Sequence, residues 1–170
     1  MVLPSGAKAH GGTRVIPVTL QSLVDLCAPG VAGTTALAII RVESGGDPWS
    51  IDDDTTKRSY HPHSYRDSVL LLHQLRAEGH NVDAGLMQVN STNWRTYGID
   101  EETVLDPCTN VNVGSTILRR AYRAATQIFP PGPLALYHAF EIYNSGHAYA
   151  SKHYADAVWA AGLRFTGQRR

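Results

Sequence analysis

The stretch that most constrains this chain is ALAIIRVESGGDP, residues 36–48. Ala36, Ile39, Ile40 and Glu43 fall at helical spacing, so one face of a short helix carries an apolar stripe that ends in a carboxylate. Gly45, Gly46 and Pro48 then stop the helix, because the glycines permit a sharp turn and proline cannot continue the ladder. The stripe must pack inward and carries Glu43 with it. Partial desolvation and the negative end of the helix dipole both favour the protonated acid there. An isolated glutamate at a helix end ordinarily reaches solvent, but here the turn leaves an open approach to the carboxyl. A carboxyl of raised pKa in a crevice is what a general acid needs near neutral pH.

The same punctuation recurs along the chain and predicts a mainly α domain with a small β element. VTLQSLVDLC places Leu20, Leu23, Val24 and Cys27 on one helix face before Pro29 and Gly30, and Thr34 or Thr35 is available to cap the helix that follows. WSIDDDTTKRSYHPHS reads as a small hairpin. Ser64 and Asp67 form a capping-box-like start for YRDSVLLLHQLRAE, which Gly79 closes. A short helix STNWRTY ends at Gly98, a long helix begins near Pro107, and PPGP from Pro130 breaks it. LALYHAFEIYNSG and SKHYADAVWAAG read as two further helices, each ended by glycine.

With 170 residues, 43% of them apolar, the chain is sized for one core. We expect a flexible lead-in at 1–14, one domain at 15–164 and a short basic tail at 165–170. Fifteen basic residues balance fifteen acidic ones, so nothing points to nucleic acid or an anionic membrane as a charge-driven partner. No apolar run approaches the roughly 20 residues of a membrane span. The opening MVLPSGAKAHGGTR has no compact apolar region and does not read as a secretory signal. Cys27 and Cys108 fit either two buried thiols or one disulfide; a bridge would close an 81-residue loop and stabilise by on the order of 4 kcal/mol in the chain-entropy model.

Two further stretches, AGLMQVN at 84–90 and IYNSG at 142–146, follow VESGG in order. Together they resemble the lytic transglycosylases, members of the lysozyme-like superfamily that cleave bacterial peptidoglycan. The resemblance covers about residues 18–160, and CAP, GHNVD, DPC and GSTIL are similar to the branch that accompanies type IV secretion and conjugation systems. It implies a goose-type lysozyme-like α+β domain with a glycan groove, working in the periplasm as a monomer without cofactor or metal. Its partners would be peptidoglycan glycan strands and components of a secretion or conjugation apparatus.

Residue by residue, the resemblance makes Glu43 the single catalytic acid, with Ser44 beside it to bond the ligand or steady the loop. Gln88 offers an amide donor and acceptor to an N-acetyl group, and Met87 an apolar wall for a sugar face. Tyr143 would approach the acid and the N-acetyl group, and Asn144 would fix the turn that carries it. The resemblance also joins Cys27 to Cys108. Each residue has a plainer role open to it: Gln88 and Asn90 as helix caps, Met87 and Tyr143 as core. Asp47 stands where this branch often has Asn, and would raise the pKa of Glu43 if close; Glu141 adds an acid beside the tyrosine motif.

Other sites are weaker. Asp52–Asp54 lacks the glycine and distant glutamate of a calcium loop, and His61 and His63 lack a metalloprotease pattern. Cys27 has no evident base to activate it. Two alternatives stay open: a hydrolytic lysozyme that uses Asp52–Asp54 or Asp83 as second carboxylate, and a glycan-binding assembly subunit that does not need Glu43.

Overall fold

The computed structural model of the chain describes residues 19–165 and 167. The expected lead-in at 1–14 lies outside them, as does most of the tail at 165–170. Within the described residues the chain forms helices α1 (Leu20–Cys27), α2 (Gly33–Glu43), α3 (Tyr65–Ala77), α4 (Ser91–Tyr97), α5 (Pro107–Ala125), α6 (Pro133–Ser145) and α7 (Lys152–Phe165). Four short strands, β1 (Ile51–Asp53), β2 (Arg58–Tyr60), β3 (Val82–Ala84) and β4 (Val89–Asn90), make one antiparallel sheet in the order β2-β1-β3-β4. This is the mainly α fold with a small β element that the sequence predicts, and no described helix is long and apolar enough to cross a membrane.

Local rules account for most starts and stops. Ser64 Oγ accepts from the Asp67 N–H at 3.1 Å, and Asp106 caps α5 by accepting from Thr109 N–H at 2.8 Å just before Pro107. Two boundaries depart from expectation. Helix α2 starts at Gly33 without a side-chain cap, so Thr34 and Thr35 lie inside its first turn and not at the cap. Helix α7 runs through Gly162 to Phe165 because packing against α2 holds it, with the Gly162 backbone facing Ala38.

Two apolar clusters form the core. The larger gathers α1, α2, α5, α6 and α7 around Ile39, Ile40, Met87 and Phe140; the smaller joins the sheet to α3, α4 and α5 through Ile51, Leu72, Val82 and Trp94. A disulfide between Cys27 and Cys108, with Cα atoms 5.2 Å apart, ties the end of α1 to the start of α5.

Asn110, fully buried on α5, is the polar staple at the border of the clusters. Its amide donates to the carbonyls of Ala84 and Val104 at 2.8 and 2.9 Å, and its Oδ1 accepts from Met87 N–H at 2.7 Å. The approach is so close that a Cβ at Gly85, which also has φ +81°, would lie 2.3 Å from the Asn110 amide. A Cβ at Gly114 on the same helix would lie 2.7 Å from that of Met87. Glycine at these two positions lets the 84–88 turn press onto α5, which holds Gln88 at the floor of a cleft.

Candidate active site

The cleft lies where the helical cluster meets the sheet and encloses about 600 Å³, with Glu43, Asp54, Asp83, Gln88, Tyr143 and Asn144 on its walls. A groove of similar size between α1, α2 and α7, about 620 Å³, has an apolar lining with Arg41 and Arg164 and no carboxylate.

Glu43 is the last residue of α2 and is partly buried. Its Oε1 accepts a hydrogen bond from the hydroxyl of Tyr154 on α7. Burial pushes its carboxyl up to about 8; the Tyr154 bond pulls the other way, while Asp83 and Asp52 push it further up. The expectation of a raised acid therefore holds, but Asp47 is not a cause of it. Asp47 Oδ1 accepts from the Trp49 N–H at 2.9 Å and its Oδ2 lies 3.2 Å from His61 Nδ1, so it closes the turn after α2.

Strand pleating sorts the three consecutive aspartates. Asp52 and Asp83 are direct partners across β1 and β3, with their neighbours Ile51, Asp53, Val82 and Ala84 turned inward. Burial and the neighbouring Asp54 push Asp83 up to about 7. Asp54 accepts from the amides of Asn81 and Asn90 at 3.1 and 3.3 Å. Asp53 is turned inward instead. Burial alone would raise it, but Thr55, Thr56 and His80 bond its carboxylate and hold it below the usual range.

Gln88 is buried, in a left-handed backbone conformation with φ 45°. Both of its amide hydrogens are used within the protein, on the carbonyls of Ser50 at 3.1 Å and Gly85 at 2.8 Å. Its Oε1 is buried without a partner. Gln88 lines the cleft, but its amide is spent inside the protein and does not offer the donor-acceptor pair expected from its side chain. Asn90 is the cap of α4, accepting from the Thr92 N–H at 3.0 Å.

Tyr143 on α6 donates to the Met87 carbonyl at 2.7 Å, and its ring stacks on that of Tyr154 with centroids 6.5 Å apart and planes 14° apart. Burial first, then the nearby charges of Glu43 and Asp83, hold its hydroxyl well above the usual phenol range. Asn144 lies on the cleft wall within the last turn of α6 and accepts from Ser151 Oγ at 2.8 Å, fastening the loop that leads to α7.

One expected contact is placed elsewhere, and Ser44 takes the second of its two expected roles. Met87 is not a groove wall: its side chain is fully buried against α5, because the Asn110 bond pulls its backbone inward, and only its carbonyl serves the site by receiving Tyr143. Ser44 Oγ donates to the carbonyls of Leu86 at 2.9 Å and Ile40 at 3.3 Å, so it steadies the loop. Glu141 points away from the cleft, toward His138.

Tyr154 escaped the sequence reading. The available signal was its place on one face of α7 with Val158 and Ala161, both buried, but periodicity does not say which neighbour a face meets.

Residues 24–162 match the family described as Transglycosylase SLT domain. The chain is 33% identical over 164 residues to Protein virB1 of Agrobacterium fabrum (strain C58 / ATCC 33970), covering 95% of this chain and 66% of that protein. It is 34% identical over 122 residues to Protein virB1 of Rhizobium radiobacter, covering 71% and 50%. With Type IV secretion system protein virB1 of Brucella abortus biovar 1 (strain 9-941) it shares 36% over 126 residues, covering 74% and 53%. The chain thus spans between half and two thirds of the length of these relatives. No solved structure matches it. With its helical cleft, raised glutamate and ordered motifs, this chain belongs to the transglycosylase SLT domain family.

Proposed function

We propose that this chain is a peptidoglycan lytic transglycosylase that cleaves the β-1,4 bond between N-acetylmuramic acid and N-acetylglucosamine with Glu43 as both acid and base. The observation that carries the reading is the Glu43 carboxyl, raised to about 8 at the floor of a polar cleft, where it holds a proton at neutral pH. Glu43 gives that proton to the glycosidic oxygen as the bond to C1 breaks. The substrate's own N-acetyl carbonyl stabilises C1, with Gln88 and Tyr143 on the cleft wall beside it. The ionised Glu43 then takes the proton of the C6 hydroxyl of the same sugar as O6 bonds to C1. Glu43 ends as it began, and the tethered hydroxyl outcompetes water through its high effective concentration.

The hydrolytic reading needs a second carboxylate to activate water. Asp83, pushed up to about 7 by burial and Asp54, is the carboxylate on the cleft wall that such a reaction would use. The names of the virB1 relatives support a place beside a type IV secretion apparatus, where local opening of the wall in the periplasm would let the apparatus through. The disulfide is consistent with that oxidising compartment.

Mass spectrometry of peptidoglycan digested by this chain is expected to show 1,6-anhydromuramic acid ends, lighter by one water than hydrolytic ends. Glu43→Gln is expected to lower turnover by on the order of a thousandfold. Reducing ends alone would assign a lysozyme, and parental activity in Glu43→Gln would remove the catalytic role.

A further inference from the structure

The groove of about 620 Å³ between α1, α2 and α7 shares no lining residue with the cleft. Leu37, Ile40 and Ala161 are its buried floor, while Leu20 and Phe165 remain 38% and 44% exposed. We propose that this groove is a docking site for a peptide segment of a partner protein, one that carries large apolar side chains and carboxylates within the same short stretch. Its occupant is independent of the chemistry at Glu43.

Charge selects that occupant. Arg41 on α2 and Arg164 on α7 line the groove and are exposed, and among the described residues neither guanidinium has an ion-pair or side-chain hydrogen-bond partner. No residue of the groove is acidic. Residues 1–18, 166 and 168–170 contain no aspartate or glutamate either, so the rest of the chain brings no acidic side chain to the two cations. An apolar surface beside uncompensated cations is complementary to a ligand with both characters. Burial of apolar side chains supplies affinity, and carboxylates pair with guanidinium in a bidentate manner that fixes register. The cations come from two helices, so carboxylates at two places along a chain suit them better than a single headgroup.

The position of the groove gives docking a consequence. Gly45 and Gly46 line it two and three residues after Glu43. Gly46 sits against Leu20, whose Cδ1 is 3.1 Å from where a Cβ would lie, and its N–H donates to Ser44 Oγ at 3.2 Å. A docked segment therefore lies against the turn that ends α2 and leaves the cleft open, so a partner holds the chain without closing it.

The test selects a random dodecapeptide library displayed on phage against the parent chain, after depletion on the double variant Arg41→Glu with Arg164→Glu. Enriched peptides are expected to combine two or more large apolar residues with aspartate or glutamate. The strongest of them, synthesised, is expected to shift the backbone amide resonances of Leu20, Gly45, Gly46 and Ala161. The double reversal should weaken it by about a hundredfold at low salt. Phe165→Ala, which trims an exposed apolar group and keeps both charges, should weaken it about tenfold and takes the place of the double reversal if that variant fails to fold. No enrichment, peptides without acids, equal binding to parent and variants, or shifts confined to other residues would each overturn the proposal. Binding to phosphatidylglycerol vesicles that the double reversal abolishes would assign the groove to a lipid surface, and self-association abolished by it would assign the groove to a second copy; either result also overturns the proposal.

Discussion

Glu43 and Glu141 are both glutamates near the C-terminal ends of helices, α2 and α6, and both are withdrawn from solvent, yet they are built for opposite purposes. Glu141 is 2% exposed and its Oε2 is enclosed by partners: His138 Nδ1 lies 2.6 Å away and the Tyr149 N–H donates at 2.8 Å. His138 in turn stacks on Phe129 with centroids 3.9 Å apart. Glu43 has a single side-chain donor, and the rest of its carboxyl faces an open cleft beside two like charges. Burial alone therefore does not make a reactive acid. What matters is burial left incompletely compensated, on the side where a substrate can complete it.

The comparison is sharpest in stability. Glu141→Ala is expected to destabilise the fold by about 3 kcal/mol, because it leaves the Tyr149 N–H and the His138 ring without their acceptor. Equilibrium denaturation reads this directly, and a loss near zero would mean that the enclosed site is not structural. Glu43→Gln is expected to do the reverse. The folded chain holds a proton on Glu43 up to about pH 8, whereas an unfolded glutamate releases it near 4.5. The stability associated with that proton is complete below 4.5 and is lost as pH rises to about 8. Removing the ionisable group should thus stabilise the chain at pH 8 by on the order of 2 kcal/mol, and by nothing measurable at pH 4. Melting curves at the two pH values check it; an equal effect at both would break the contrast.

The smallest effect concerns the like charges. Asp83→Asn removes one of the groups that disfavour ionised Glu43, so the alkaline limb of the pH–activity profile should move downward by less than about one unit. Tyr154→Phe removes the group that favours the carboxylate and should move the limb upward. The pair of pH profiles would show whether Glu43 is balanced between the sheet and α7 as the geometry implies.

The sequence by itself determined the pieces that follow from near neighbours in the chain. The apolar spacing of ALAIIRVE and the glycines and proline after it placed Glu43 at the end of a helix on its inward face. Ser64, Asp106 and Pro107 announced helix starts because capping is a matter of three residues. The motifs around Gln88 and Tyr143 marked cleft residues before their geometry was known. Only the tertiary structure decided which of those side chains face the cleft. Met87 and Gln88 are adjacent, yet one is core and the other lines the cleft, because Asn110 and Gly114 on α5 draw the turn inward. Tyr154 meets Glu43, and Asp52 and Asp83 crowd it, through helix docking and strand register. Periodicity tells a chain which face to bury, but the partner of that face is set by packing between segments far apart in sequence, and that packing supplies both the hydrogen bond and the charges that tune the acid.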